Sequence, residues 1–180
     1  LEALEECLDL DPTSSVALRE LVAARRRLTD WQGAAEGLIR LARAKKSQEE
    51  SVWAFTSLGE IYQNHLDDLP RSEAALRRAL DLCPTHTEAL DRLATVLVDL
   101  GRAAEAARLL QVLAGRESDA LRARDYRIRL SRAVELADNA RQAEAVLEEL
   151  RNERPTDPDV VLAMADYYVR QGAKPAEAMH

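Results

Sequence analysis

The sequence has few of the residues that characterise disulfide-rich, β-rich or membrane-spanning proteins. Its 180 residues include two cysteines, six glycines, six prolines and only 4% aromatic residues. Two cysteines cannot form the disulfide framework of a small secreted domain, and no stretch approaches the ~20 consecutive apolar residues of a membrane-spanning helix. We therefore predict a protein that does not span a membrane, with Cys7 and Cys83 as buried or half-buried free thiols.

The charge balance also narrows the possible partners. The formal net charge is -7 and the isoelectric point is near 5.1. An acidic chain repels polyanions, so nucleic acid and anionic membrane surfaces are disfavoured as main partners. Ala, Leu, Arg and Glu dominate the composition and all favour helix. The composition therefore predicts a soluble helical protein, and the absence of a recognisable signal segment makes the cytoplasm the default location.

Residue patterns that carry chemistry are almost absent. The three histidines are His65, His86 and His180, and the sequence contains no HExxH or CxxC motif. Cys83 and His86 lie three residues apart in "CPTH", but two ligands do not complete a zinc site. The glycines are scattered rather than gathered in a phosphate-binding loop. We expect no catalytic residues, no metal site and no cofactor.

The most informative feature present is an internal repeat. Pro12, Pro84 and Pro155 lie 72 and 71 residues apart, and each follows a Leu-rich stretch. Between them, "ALRELVAARRRLTDWQGAAEGLIRLA" aligns without a gap with "ALDRLATVLVDLGRAAEAARLLQVLA". The repeating unit is therefore a helix-turn-helix pair of about 34 residues.

These units resemble the tetratricopeptide repeat (TPR), a pair of antiparallel helices A and B in which small residues allow close packing and a Pro follows helix B. Helix A of each unit carries a large residue followed in most units by a small one, as in Leu21-Val22, Leu58-Gly59, Leu93-Ala94, Leu130-Ser131 and Met164-Ala165. Helix B begins with the small residues Ala34, Ser72, Ala106 and Ala143, each followed four positions later by Leu38, Leu76, Leu110 and Leu147. Arg25 and Arg127 depart from the family pattern, which usually has an apolar residue there. Related helical repeats of other lengths are the alternative fold.

The resemblance implies an all-α fold, a right-handed α-solenoid of about five repeats with partial units at both ends. As one solenoid over 1–180, its units are 1–14, 15–48, 49–86, 87–120, 121–157 and 158–180. We predict A helices at 16–28, 49–65, 87–100, 119–137 and 158–171, and B helices at 31–45, 70–82, 103–114 and 140–153, after a first B helix at 1–10.

The lengths of the units and the residues at helix ends refine these helix predictions. Extra residues in "KKSQEESVW" and "RESDALRARDY" predict that alternate A helices are one turn longer. Asp157 should cap a helix that Pro158 opens, and Pro70 and Pro175 should open helices likewise. Gly101 and Gly172 should adopt left-handed conformations after helices.

In this family the A helices line a concave groove that binds peptides or helices of other proteins. The resemblance therefore implies a non-enzymatic protein-protein interaction module. The implied partner-binding positions are Arg19, Arg26, Trp53, Glu60, Gln63, Glu88, Asp91, Thr95, Asp99, Arg129 and Arg132. Further groove positions are Ala23, Arg27, Thr56, Asn64, Val98, Asp125, Ile128, Glu135, Asp159, Leu162, Asp166 and Arg170. The Lys and Asn set that grips chaperone tails is missing, since Ala23 and Ser57 stand where Asn is required.

An alternative function is architectural. The chain could be an interior section of a longer scaffold that spaces or oligomerises other domains and has no ligand of its own. We then expect self-association through apolar faces at uncapped solenoid ends.

Overall fold

Residues 1–44 and 47–172 are described in this computed structural model, and within them the chain forms ten α-helices and no strand. The all-α fold is confirmed, and every helix predicted within these residues is present with its boundaries shifted by two residues at most. The B helices are α1 (Glu2–Leu10), α3 (Trp31–Ala44), α5 (Leu69–Leu82), α7 (Ala103–Arg116) and α9 (Ala140–Glu153). The A helices are α2 (Ser15–Arg27), α4 (Gln48–Asn64), α6 (Thr87–Asp99), α8 (Ala120–Leu136) and α10 (Pro158–Arg170).

The A helices alternate in length, as predicted. Helices α4 and α8 contain 17 residues, whereas α2, α6 and α10 contain 13. Four residues are about one helical turn, so the longer helices keep the same apolar face toward the core. The insertions therefore lengthen a helix instead of adding a loop.

The chain divides into two compact units, Leu1–Val96 and Leu97–His180. In the first unit, α1 packs on α2, α2 on α3, α3 on α4 and α4 on α5. Its core is built from leucines such as Leu18, Leu21 and Leu38, joined by Ile61 and Tyr62. These apolar residues recur at helical spacing, so each helix buries one stripe against its neighbours.

In the second unit, α7 packs on α8, α8 on α9 and α9 on α10, and α8 also contacts α10. The core here includes Val134, Leu147, Met164 and Tyr167. The Tyr167 hydroxyl donates a 2.9 Å hydrogen bond to the main-chain oxygen of Ala140, which satisfies the polar end of this buried ring.

The small residues that open the B helices let neighbouring helices approach closely. Ala34, Ser72, Ala106 and Ala143 are all fully buried, at 0% exposure. The leucines four positions later, Leu38, Leu76, Leu110 and Leu147, are also buried. Both predicted features of the repeat are therefore confirmed.

Each turn between an A helix and the segment after it contains one residue with positive φ. Gly101 and Gly172 have φ of 74° and 79°, as predicted. Three non-glycine residues do the same at the other turns: Thr29 (57°), Asp67 (50°) and Asp138 (61°). A left-handed residue ends a helix and redirects the chain, so one conformation serves all five turns.

The predicted helix starts are also present where the chain is described. The Asp157 carboxylate accepts a hydrogen bond from the main-chain N–H of Asp159, and Pro158 is the first residue of α10. Pro70 lies in the first turn of α5, which the Asp68 side chain caps. Pro175 lies outside the described residues.

The two arginines that depart from the family pattern are paired with carboxylates on B helices. Arg25 Nη2 lies 2.8 Å from Glu5 Oε1 of α1, and Arg127 Nη1 lies 2.6 Å from Glu153 Oε2 of α9. Both arginine side chains are about one fifth exposed, so their charges are paired near the surface.

The prediction for the cysteines is only half right. Cys83 is half-buried, but Cys7 is exposed, because Leu4 and Leu8 form the face of α1 that packs against the core.

Candidate functional site

In the first unit, the predicted groove residues Arg19 and Trp53 are brought together by α2 and α4. The Arg19 guanidinium carbon lies 4.5 Å from the centre of the Trp53 ring, in a cation–π geometry. Trp53 remains 37% exposed. A partly exposed indole with one covered face is suited to contact a further apolar or cationic group.

A chain of alternating charges runs across the A helices α2, α4 and α6. Arg26 Nη2 on α2 lies 3.4 Å from Glu60 Oε2 on α4, and Arg92 Nη2 on α6 lies 3.4 Å from Glu60 Oε1. Arg92 Nε in turn donates to Glu88 Oε1 at 3.1 Å. Glu60 therefore bridges two arginines, and Arg92 partly neutralises the acidic groove positions Glu60 and Glu88.

The other predicted residues of the first unit lie on the same helices. Gln63 is half-buried on α4, and Asp91 is half-buried on α6. The Thr95 hydroxyl donates to the main-chain oxygen of Asp91 at 3.3 Å. Thr56 is not a groove residue, because its side chain is buried and donates to the main-chain oxygen of Val52 at 2.8 Å. In the second unit, Asp99 is exposed at the end of α6.

The second unit contains a groove between the A helices α8 and α10, with a volume of about 530 Å³. We call it the α8–α10 groove. Ile128, Leu162 and Ala163 supply its apolar surface, and Leu162 is 60% exposed. The remaining lining residues are Asp125, Arg129, Ser131, Arg132, Asp159, Asp166 and Arg170. Eight of these ten positions are ones that the family resemblance assigns to the groove; the other two are Ser131 and Ala163.

At one side of this groove, Glu135 binds two of the lining arginines. Arg132 Nη1 and Arg170 Nη2 lie 2.8 and 2.9 Å from Glu135 Oε2. Burial alone would raise the pKa of Glu135, but the hydrogen bonds from Arg170 and Arg132 lower it below its ordinary value. Glu135 is therefore an ionised anchor that fixes both guanidinium groups in place.

Arg124 fixes two of the carboxylates that line the groove, as Glu135 fixes two of the arginines. Its Nη1 donates to both oxygens of Asp157, at 3.0 and 2.9 Å, and its Nη2 lies 2.6 Å from Asp125 Oδ1 and 2.9 Å from Asp159 Oδ2. The hydrogen bond from Arg124 holds the pKa of Asp157 below its ordinary value. Among the carboxylates that line the groove, only Asp166 has no ion pair within the described part of the chain.

Sequence analysis did not predict Arg92 and Arg124 as site residues, although their spacing from acidic residues indicates ion pairs. Arg92 follows Glu88 by four residues, which is the spacing of a helical ion pair. Arg124 precedes Asp157 by 33 residues, so only the repeat length indicates that they meet. A search for charge pairs one repeat apart would have found it.

The described residues contain no metal-binding cluster of three or more His, Cys, Asp or Glu side chains. His86 instead accepts the main-chain N–H of Ala89 at its Nδ1, at 3.2 Å, and so caps α6. Within residues 1–44 and 47–172, no helix has the length and apolar character needed to cross a membrane.

These features define an all-α helical repeat protein. A sequence profile of the tetratricopeptide repeat family matches residues 13–180. The chain therefore belongs to the tetratricopeptide repeat family.

Solved structures with the same fold include MamA residues 41-end from Desulfovibrio magneticus RS-1, at 19% identity and a TM-score of 0.72, covering 91% of this chain and 90% of that one. A tetratricopeptide repeat protein from Parabacteroides merdae has 20% identity and a TM-score of 0.72, covering 99% of this chain and 68% of that one. YrrB, described as a TPR protein with an unusual peptide-binding site, has 13% identity and a TM-score of 0.72, covering 98% and 88%.

A comparison with curated protein sequences finds no significant match. At these identities the structural likenesses establish the fold alone. The TPR fold in general mediates interactions between proteins.

Proposed function

We propose that this chain is a non-enzymatic interaction module that binds a peptide or helical segment of a partner protein on its A helices. The observation that carries the proposal is the α8–α10 groove, about 530 Å³ in volume and lined almost entirely by predicted groove positions. A groove of this size matches the volumes of ligand-binding clefts.

The chemistry of the groove indicates a partner with one apolar anchor and flanking charges. Leu162 and Ile128 offer apolar surface, and Leu162 is 60% exposed, so an apolar side chain seated here removes that surface from water. Asp166 supplies a carboxylate for a basic residue of the partner. Arg132 and Arg170 are held by Glu135, so they are positioned before binding and lose little side-chain freedom on it.

The experiment is a pull-down from a lysate of the source organism with the immobilised chain and two variants. Leu162→Asp places a charge on the apolar surface of the groove. Leu121→Asp is the control, because Leu121 is 55% exposed on α8 and does not line the groove. Equal helicity of all three proteins is checked first by circular dichroism.

We expect a protein that the parent and Leu121→Asp retain and that Leu162→Asp loses. Mass spectrometry then identifies the partner, and a synthetic peptide from it should bind the parent with Leu162→Asp weakening the affinity by about tenfold or more. Retention of the same proteins by all three, or of none by the parent, would overturn the proposal.

A further inference from the structure

A second groove in the first unit is lined mainly by B helices, and none of the predicted A-helix groove residues lines it. It is formed by the C-terminal halves of α3 and α5 and the first two turns of α4, and its volume is about 740 Å³. We call it the B-helix groove. Its apolar surface comes from Ile39, Ala42, Phe55 and Leu82.

The uncharged polar side chains in this groove already have partners. Ser47 Oγ accepts from the main-chain N–H of Glu50 at 3.0 Å, and Ser51 Oγ donates to the main-chain oxygen of Ser47 at 3.0 Å. Gln48 Nε2 donates to the main-chain oxygen of Leu82. These bonds fix the walls, so the groove offers a ligand apolar surface rather than unsatisfied uncharged groups.

The charged side chains that line the groove are Arg43, Arg78 and Asp81, so its rim carries a net positive charge. Arg43 is exposed and has no ion pair or hydrogen bond with any described residue. Arg78 has 73% of its side chain exposed, and its only ion pair among the residues described is a 3.8 Å contact with Asp81, itself 67% exposed. Such a contact between exposed groups contributes little, so Arg78 can exchange it for a better carboxylate.

We propose that the B-helix groove docks an acidic amphipathic segment of a partner protein. Apolar side chains of the segment pack on Ile39, Phe55 and Leu82, and its carboxylates bind Arg43 and Arg78. An amphipathic helix presents its apolar side chains on one face, at spacings of three and four residues, with charged side chains beside that face. Arginine can bind a carboxylate through two parallel hydrogen bonds. The B-helix groove shares no lining residue with the α8–α10 groove, so either proposal can fail without the other.

The test is fluorescence anisotropy with two labelled peptides of about 15 residues. One carries Leu at helical i, i+3, i+4 and i+7 positions with Glu elsewhere, and the other has Lys in place of every Glu. The chain as a whole carries a net charge of -7, so general electrostatics favours the basic peptide. A preference for the acidic peptide therefore requires a local basic surface.

Four variants locate the binding site. Arg43→Glu with Arg78→Glu reverses the rim, and Leu82→Ser removes apolar surface from a residue that is 37% exposed. Arg116→Glu with Arg141→Glu is the matched control, because these exposed arginines lie on α7 and α9 and undergo the same change of charge. Leu162→Asp tests whether the α8–α10 groove is the site instead.

We expect the parent to bind the acidic peptide at least about tenfold more tightly than the basic one. The rim reversal and Leu82→Ser should each weaken it by about tenfold or more, and the control pair and Leu162→Asp should leave it within about twofold. Failure of the parent to bind, equal loss with the control pair, or loss with Leu162→Asp would each overturn the proposal. So would sedimentation showing that a second copy of the chain occupies the groove and excludes the peptide.

Discussion

The Ser72 hydroxyl donates a 2.7 Å hydrogen bond to the main-chain oxygen of Gly59, across the contact between α4 and α5. Ser72 is fully buried, and Gly59 has no side chain where Leu76 comes closest. Both residues occupy positions where the repeat requires a small side chain. The hydroxyl is tolerated in the core because the carbonyl satisfies it.

Replacing Gly59 by Ala should destabilise the protein. A Cβ atom at Gly59 would lie 2.6 Å from Leu76 Cγ, and Leu76 is fully buried and cannot move away. Overpacking of this kind costs about 1–3 kcal/mol, which exceeds the gain of up to about 1 kcal/mol in helix propensity. Urea denaturation should therefore show a net loss in the free energy of unfolding.

Gly115 supplies the control for this change. It also lies inside a helix, but a Cβ there would meet nothing within 4 Å. Gly115→Ala should therefore leave the stability unchanged or raise it by up to about 1 kcal/mol. If Gly59→Ala raises stability by the same amount, the close approach of α4 and α5 does not depend on Gly59.

Ser72→Ala should cost less than Gly59→Ala. Ala occupies the equivalent position in the other described units, as Ala34, Ala106 and Ala143, so the smaller side chain fits. The variant loses one hydrogen bond, worth about 0.5–1.5 kcal/mol in the free energy of unfolding. Urea denaturation measures this loss, and a gain in stability would show that desolvation of the hydroxyl outweighs its hydrogen bond.

The fold could be read from the sequence because the repeat encodes it locally. Small residues such as Ala34 and Ala106, and leucines four positions later, recur in the B helices α3, α5, α7 and α9, so each unit independently supports the same helix-turn-helix assignment. The alternate helix lengths were predictable because insertions before α4 and α8 fit one helical turn. Positive φ at Thr29 was not predictable from residue type, because β-branched residues rarely adopt it, whereas Asp67 and Asp138 belong to a residue type that tolerates it.

The candidate site was predictable in position but not in charge. The positions of Arg132 and Arg170 followed from the repeat, yet their pairing with Glu135 depends on side-chain geometry between two helices. Arg92 likewise neutralises Glu60, and Arg124 neutralises Asp159, through contacts between side chains of different helices. The groove residues themselves stay a prediction until binding is measured.

Stability should fall at acidic pH through Asp157 and Glu135. In the folded protein the pKa of Asp157 lies below its ordinary value because Arg124 donates a hydrogen bond to it. Burial raises the pKa of Glu135, but the hydrogen bonds from Arg170 and Arg132 outweigh burial and lower it. Their ionised forms therefore stabilise the fold fully above the ordinary carboxyl pKa of about 4. This contribution is lost as the pH falls from about 4 through the lowered folded values.

Asp157→Asn isolates one of these groups. The variant should be less stable than the parent near neutral pH, and it should lose less stability on acidification to about pH 3, measured as urea midpoints by circular dichroism. Asn still caps a helix, so the loss of charge is the main change. The control is Asp166→Asn, which removes an exposed carboxylate and should follow the parent at both pH values. Identical acid sensitivity of parent and Asp157→Asn would contradict the assignment.

Arg19 should shield Trp53 from solvent. In a Trp31→Phe background, Trp53 is the one remaining tryptophan, so the tryptophan fluorescence reports the surroundings of Trp53 alone. Arg19→Ala removes the guanidinium that lies 4.5 Å from the ring and should increase acrylamide quenching, with a stability loss of about 0.5–1 kcal/mol. Arg27→Ala on the same helix should leave the quenching unchanged, and an equal increase with both variants would argue against the cation–π contact.

The turn after α2 should be improved by Thr29→Asn. Thr29 has φ of 57°, and left-handed conformations cost an L-residue roughly 1–2 kcal/mol, with β-branched residues among the least suited to them. Asn tolerates this conformation, so the variant should raise the free energy of unfolding by about 0.5–1 kcal/mol. Thr156→Asn is the control, because Thr156 is an exposed turn residue without positive φ and should gain no stability. Equal effects of Thr29→Asn and Thr156→Asn would show that the turn is not strained.

Gly101→Ala should instead lower the free energy of unfolding, by about 1–2 kcal/mol. A Cβ at Gly101 would meet no atom within 4 Å, so only the backbone conformation opposes the change.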